Sequence, residues 1–125
     1  MNRQKDEESV LLETAEAAER SRNYAAAFDA WQHLASMTIR PDYFCKAGRI
    51  AQKLRRWTDS ETAFLDALRV DKTFSLAMVV LGSLFLTRTD GDPWTNARTA
   101  KAWLEQAVAA APSPIPLNFL GGTQS

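Results

Sequence analysis

Three places in this sequence carry residue types that could do chemistry. The first is the stretch FLTRTDGDPWTNARTA, residues 85–100, where two aspartates, a glycine, a proline and a tryptophan fall within five residues. Asp90-Gly91-Asp92 is a fragment of a calcium loop. An EF-hand loop needs acids at its first, third and fifth positions and a glutamate at the twelfth. Counted from Asp90, the fifth residue is Trp94 and the twelfth is Lys101, so that pattern fails. A phosphate loop would need several glycines or a Gly-Lys-Ser/Thr ending, and neither is present. The stretch reads instead as a turn in which Asp92 caps the next helix and Pro93 takes its first position. Trp94 is left over, either packed against its own hairpin or standing out as an aromatic anchor for a partner.

The second and third places are single residues. His33 is the only histidine, and Cys45 the only cysteine. One histidine excludes a His-rich metal site, and a surface or packing role is the simpler expectation. Cys45 sits beside Phe44 in a helical pattern, where a small buried hydrophobe is expected; a reactive thiol would need a lowered pKa that nothing nearby provides. Asp6-Glu7-Glu8 fits a solvated helix start that favours the helix dipole. No nucleophile elbow, P-loop or dinucleotide fingerprint occurs. The expectation is therefore a non-enzymatic protein with no metal and no cofactor.

The totals narrow the class. The chain has 125 residues, room for one ordinary domain, with 46% apolar and 24% charged residues. Fifteen basic residues balance fifteen acidic ones, and no basic run exceeds Arg55-Arg56, which argues against a nucleic-acid partner. A single cysteine allows no intrachain disulfide and fits a reducing compartment. The opening MNRQKDEESV has no apolar core and is not a secretory signal. The longest apolar run, 74–86, is broken by Ser75, Gly82 and Ser83 and is shorter than the roughly 20 residues a bilayer needs. The expectation is a cytoplasmic protein without membrane insertion.

Any site must be positioned by helices, because no stretch alternates with period two for long enough to be a strand. Val10 to Met37 is rich in alanine and leucine, free of proline, and punctuated at Asn23-Tyr24, which predicts two helices and a tight turn. Pro41 ends the second helix or opens a third, and Asp42 to Leu54 is helical. Thr58 with Glu61 predicts a capping box for a fourth, ending near Val70. Residues 74–87 and 95–111 make a fifth and a sixth.

These helices repeat. Arg22-Asn23-Tyr24 and Arg55-Arg56-Trp57 lie 33 residues apart, as do Trp31 and Phe64, Leu34 and Ala67, and Ala15 and Gly48; Gly48 and Gly82 are 34 apart. Small residues recur at one phase and large aromatics at another. The pattern resembles the tetratricopeptide repeat (TPR), a helix–turn–helix unit written W-x2-L-G-x2-Y, A-x3-F-x2-A and P. The third copy has Met78, Leu81-Gly82 and Phe85, then Ala100, Leu104, Ala107 and Pro112. The second has Phe44, Ala47-Gly48 and Ala51, then Ser60, Phe64 and Ala67. The first has Leu11, Thr14-Ala15 and Ala18, then Ala27, Trp31 and Leu34.

The resemblance implies an all-α, right-handed solenoid of helical hairpins, with about six antiparallel helices and a C-terminal partial helix. Its expected divisions are a charged tail at 1–7, a repeat domain at 8–112 with copies near 8–40, 41–74 and 75–112, and the start of a fourth repeat or a tail at 113–125. Gly48 and Gly82 would stand where two helices cross, at a helix-propensity cost of roughly 1 kcal/mol each. Trp31 and Phe64 would fill the space between repeats. Nine residues separate Ala51 from Ser60, but fifteen separate Phe85 from Ala100. The third copy therefore carries six surplus residues, assigned to its turn at 88–94.

The resemblance also implies a function. TPR arrays hold a peptide or helix of a partner in a groove lined by the first helix of each repeat. Here that face would comprise Ser9, Leu12, Glu16 and Glu19; then Asp42, Cys45, Arg49 and Gln52; then Leu76, Val79, Ser83 and Leu86. It begins acidic and ends apolar, suiting a ligand with a basic and a hydrophobic end. A carboxylate clamp is not expected, because of the matching positions Leu12, Glu16, Lys46, Leu76 and Val80 only Lys46 is cationic. Leu117, Leu120 and Gly121 restart the repeat phase. No polar capping helix is visible after Pro112, which leaves an apolar end open to homodimerisation or tail docking. Two alternatives stay open: the N-terminal TPR part of a larger enzyme or transport component, and a small stand-alone chaperone or adaptor that shields an apolar client segment.

Overall fold

The computed structural model describes residues 3–110, and these form six α-helices: α1 Arg3–Arg20, α2 Tyr24–Met37, α3 Pro41–Lys53, α4 Trp57–Val70, α5 Ser75–Thr87 and α6 Pro93–Ala110. Each helix packs on its neighbours in the chain, and α3 also packs on α5. Among the described residues α6 never returns to α1, so the six helices form an open stack of three hairpins and not a closed bundle. Residues expected as a charged tail, 1–7, belong to α1 from Arg3 onward. The fourth-repeat start or tail at 113–125 lies outside the described residues.

Two interlocking cores run through the stack. The first joins α1, α2 and α3 and includes Ala15, Ala27, Trp31, Leu34, Tyr43 and Ile50. The second joins α3, α4 and α5 and includes Cys45, Phe64, Ala77, Leu81 and Leu84. Trp31 and Tyr43 meet with ring centroids 5.9 Å apart, so the aromatic of the first hairpin reaches the first helix of the second. Phe64 is fully buried and lies directly over Gly48. A Cβ built on Gly48 would stand 2.4 Å from the Phe64 ring, and one on Gly82 would stand 2.7 Å from Leu104. Both glycines are thus the close-approach points their spacing predicts. Ser60, the small residue of α4, is fully buried and donates its hydroxyl to the Gly48 carbonyl at 2.7 Å.

The turns inside the first two hairpins are identical in form. The N–H of Asn23 donates to Ala18 and that of Arg22 to Glu19; the N–H of Arg56 donates to Ala51 and that of Arg55 to Gln52. This is the Schellman closure of a helix, which places one residue in the left-handed region. That residue is Arg22 at φ 61° in one turn and Arg55 at φ 60° in the other. The closure fixes where α4 begins, and it corrects the expected capping box at Thr58 and Glu61. The helix starts at Trp57 directly after Arg56, whose side chain makes no capping bond, and Thr58 lies inside it. Of the two readings of Pro41 the structure takes the opening of α3, and the Asn23 side chain caps α2.

The six surplus residues of the third hairpin are divided. Its turn, 88–92, is only two residues longer than turns 21–23 and 54–56. The other four extend α6 at its N-terminus by one helical turn, Pro93 to Asn96. Asp92 accepts the Thr95 backbone N–H and hydroxyl at 2.8 Å, as a capping residue should. Arg88 holds the turn down: its guanidinium bonds Asp90 at 2.6 and 2.9 Å and Glu61 of α4 at 2.8 Å, over the Phe85 ring.

Two predictions follow from these backbones. Ala at Gly48 meets a buried ring that cannot move, whereas Ala at Gly82 meets Leu104, which lies at the surface and can swing away. Gly48→Ala is expected to lose about 1–3 kcal/mol in urea denaturation, while Gly82→Ala stays within about 1 kcal/mol of the parent; equal losses would contradict the Phe64 contact. Conversely, Arg22→Gly and Arg55→Gly each relieve a left-handed side-chain penalty and are expected to raise stability by about 0.5–1 kcal/mol. A fall in the urea midpoint would mean the arginine side chains stabilise the turns.

Candidate functional site

The first helices α1, α3 and α5 share one side of the stack, and that is where the groove was expected. A hollow on that side lies between α3 and α5 and has a volume of about 560 Å³. Five expected residues line it together: Arg49, Gln52, Leu76, Val79 and Ser83. Lys53, Val80 and Thr87 complete the wall and were missed from the sequence. The repeat itself could have found two of them, since Lys53 and Thr87 are 34 residues apart, as are Gly48 and Gly82. Leu76 and Val79 are 42% and 45% exposed, so the floor of the hollow is accessible aliphatic surface with two cations, Arg49 and Lys53, on its α3 wall.

Cys45 does not line this groove. It is 1% exposed and sits in the second core with Phe64, Ala77 and Val80, because α5 packs over that flank of α3. Burial pushes its thiol up to about 12. Leu86 is displaced as well. It is exposed at the far end of the stack, over a separate hollow of about 340 Å³ with Ala97, Lys101, Leu104 and Val108 of α6. This is the apolar end face at which homodimerisation was expected.

The acidic end of the expected groove is largely engaged by the protein itself. Glu19 accepts a hydrogen bond from the Trp31 indole, and Asp42 takes a bidentate pair from Arg40. Glu8 accepts the Tyr43 hydroxyl at 2.7 Å, and burial, ahead of that bond, raises the Tyr43 pKa. Leu12 is half-buried against the first core. Ser9 and Glu16 remain exposed on α1. A basic ligand end therefore finds less free charge on α1 than the sequence implied.

Of the two readings of Trp94, the structure takes the exposed one. The residue is 77% exposed on the extra turn of α6 and packs against no core. The neighbouring carboxylates have internal partners. The Arg88 hydrogen bond holds the Asp90 carboxyl below its usual range, and the Thr95 N–H does the same for Asp92. His33 is exposed on α2. Among the described residues no group of three or more His, Cys, Asp or Glu is placed to hold a metal ion, and no helix is long and apolar enough to cross a membrane.

With this geometry in view, the chain is similar to the Arabidopsis OM64 TPR domain, with a TM-score of 0.70 over 84% of this chain and 83% of that one, at 17% identity. The fold is the TPR fold. No family model and no curated protein matches the sequence. Low identity with high overlap is what a repeat dictated by a few contacts produces, because the close-approach and aromatic positions constrain a TPR hairpin while most surface positions do not.

The buried thiol gives a direct check on the site. Cys45 is expected to resist Ellman's reagent at about pH 8 in the folded chain and to react promptly in denaturant. The fold holds the thiol neutral, while an exposed thiol ionises near 9.0. The unfolded chain therefore loses its proton first, and stability is expected to decline as pH rises from about 9 toward 12. Fast labelling of the native protein would return Cys45 to the groove surface.

Proposed function

We propose that this TPR-fold chain is a non-enzymatic protein-interaction module that takes a segment of a partner into the hollow between α3 and α5. The observation that carries the reading is the pairing of accessible Leu76 and Val79 with Arg49 and Lys53 in one cavity. Aliphatic floor surface of this kind gains from burying an apolar anchor residue. The flanking cations favour a carboxylate beside it. The reading fits equally a stand-alone adaptor that shields an apolar client segment and the TPR part of a longer enzyme or transport component. It carries with it a reducing, cytoplasmic setting, in which Cys45 stays a thiol.

The test is a peptide-library selection on the purified chain, followed by affinity measurements on two variants. Peptides enriched by the parent are expected to carry an apolar residue and to lose about tenfold or more in affinity for Val79→Asp, and several-fold for Arg49→Glu, with circular dichroism unchanged. Peptides that bind both variants as well as the parent would move the site elsewhere. The hollow of Leu86, Leu104 and Val108 favours a second reading, self-association through the α5–α6 face. Sedimentation of the chain across a concentration series checks it, and a monomer at every concentration would dismiss it.

A further inference from the structure

The sequence holds no basic run longer than two residues, yet the fold assembles one. The turns 21–23 and 54–56 lie side by side on one edge of the stack. Two contacts across the hairpins establish this: the Lys53 ammonium sits 5.6 Å from the centre of the Tyr24 ring, and the Arg56 guanidinium 4.7 Å from that of Phe28. Arg20, Arg22, Lys53, Arg55 and Arg56 therefore share one edge. The acids within four residues of them in sequence are Glu16, exposed one turn before Arg20, Glu19, which accepts from Trp31, and Asp59, which pairs with Arg56 at 3.0 Å. Arg20, Arg22 and Arg55 are exposed, and none pairs with a carboxylate among the described residues.

Helix dipoles explain part of this charge, since cations are favoured in a last helical turn. That accounts for Arg20 and Lys53. It does not account for Arg22 and Arg55, which occupy the left-handed position where glycine is at ease. The same unfavourable residue stands at the same place in two hairpins, 33 residues apart, with its charge exposed both times. Backbone strain retained at a surface position is an observation from which function is inferred.

We propose that this edge is a second binding surface, for a short carboxylate-rich polypeptide segment. Guanidinium groups match carboxylates with paired hydrogen bonds. Neighbouring packed helices lie roughly 10 Å apart, so an extended chain crosses from one turn to the next in about four residues. The third turn limits the length. There Arg88 is shared by Asp90 and Glu61, so that with Asp92 three carboxylates face one guanidinium and the turn is net negative. A long polyanion following the edge would run into those acids. A nucleic acid would also find the Tyr24 and Phe28 rings already covered by Lys53 and Arg56. The edge is distinct from the α3–α5 hollow, sharing only Lys53 with it.

The experiment is fluorescence anisotropy of a labelled oligoglutamate peptide with the whole chain, at low and at physiological salt. Oligoglutamine and an oligothymidylate of matched charge serve as comparators. Oligoglutamate is expected to bind, to weaken with salt, and to bind better than either comparator. The double variant Arg22→Gly/Arg55→Gly is expected to lose about tenfold or more in affinity while melting no lower than the parent, which separates lost charge from lost fold. Arg20→Gln, which leaves both turns untouched, is expected to weaken binding several-fold. Val79→Asp is expected to leave it unchanged. Unchanged binding by the glycine double variant would overturn the proposal. Tighter binding of oligothymidylate would overturn it in favour of a nucleic acid, and loss of binding in Val79→Asp would return the ligand to the groove.

Discussion

The contact on which the architecture depends is the approach of α4 to α3 at Gly48. There is no space for even a methyl group between that backbone and the Phe64 ring. The absence of a side chain lets two helices of one hairpin come close enough for Ser60 to donate to the Gly48 carbonyl, satisfying the one buried polar side chain among the described residues. The Phe64 ring that covers Gly48 also belongs to the core it shares with Ala77 and Leu81 of the next hairpin. The stacking of α5 on α3 follows from it, and so does the hollow that those two helices enclose. A contact of a few atoms thus sets the geometry of a surface a hairpin away.

Such contacts are legible in a sequence because they restrict residue type. A crossing point accepts little beyond Gly, Ala or Ser, and the gap between hairpins asks for a large ring. The 33- to 34-residue recurrence of both classes carried the fold. The helix starts were less legible, because side-chain caps are only one way to begin a helix. At α4 the closure of α3 leaves the chain already turned at Arg56, so Thr58 falls inside the helix and not at its cap. The surplus residues of the third hairpin show the same limit. Spacing counted them, but whether they enlarge a turn or lengthen a helix depends on Asp92, Pro93 and the Arg88 clamp together.

The residues expected to share a groove are only partly brought together. A helical stripe from Asp42 through Cys45 to Arg49 and Gln52 assumes that one face of α3 is free along its length. In the structure α5 leans across that face at its middle. Cys45 is therefore taken into the core while Arg49, one turn later, stays at the rim. Partner helices decide such exposure, and a single helix's periodicity does not contain their tilt. On α1 the same limit applies: Glu19, expected on the groove face, meets Trp31, and Glu8, expected in a solvated helix start, meets Tyr43, residues far off in sequence.

The charge distribution carries the argument furthest from composition. A net charge of zero describes this chain as electrically bland, yet the fold separates its charges. Glu8 and Glu19 on α1 and Asp90 and Asp92 in the third turn have internal partners, while three arginines on the edge of the first two turns pair with no carboxylate among the described residues. Closing two helices with arginine in a left-handed conformation is a local cost that packing does not recover, since both side chains lie in water. Stability alone would favour glycine at those sites. The same repeat that places small residues at crossings also brings two short arginine-bearing turns into register, converting runs too short to notice into a surface wide enough for a ligand. In a repeat protein, binding chemistry can thus arise from the period itself, in residues that no linear motif would connect.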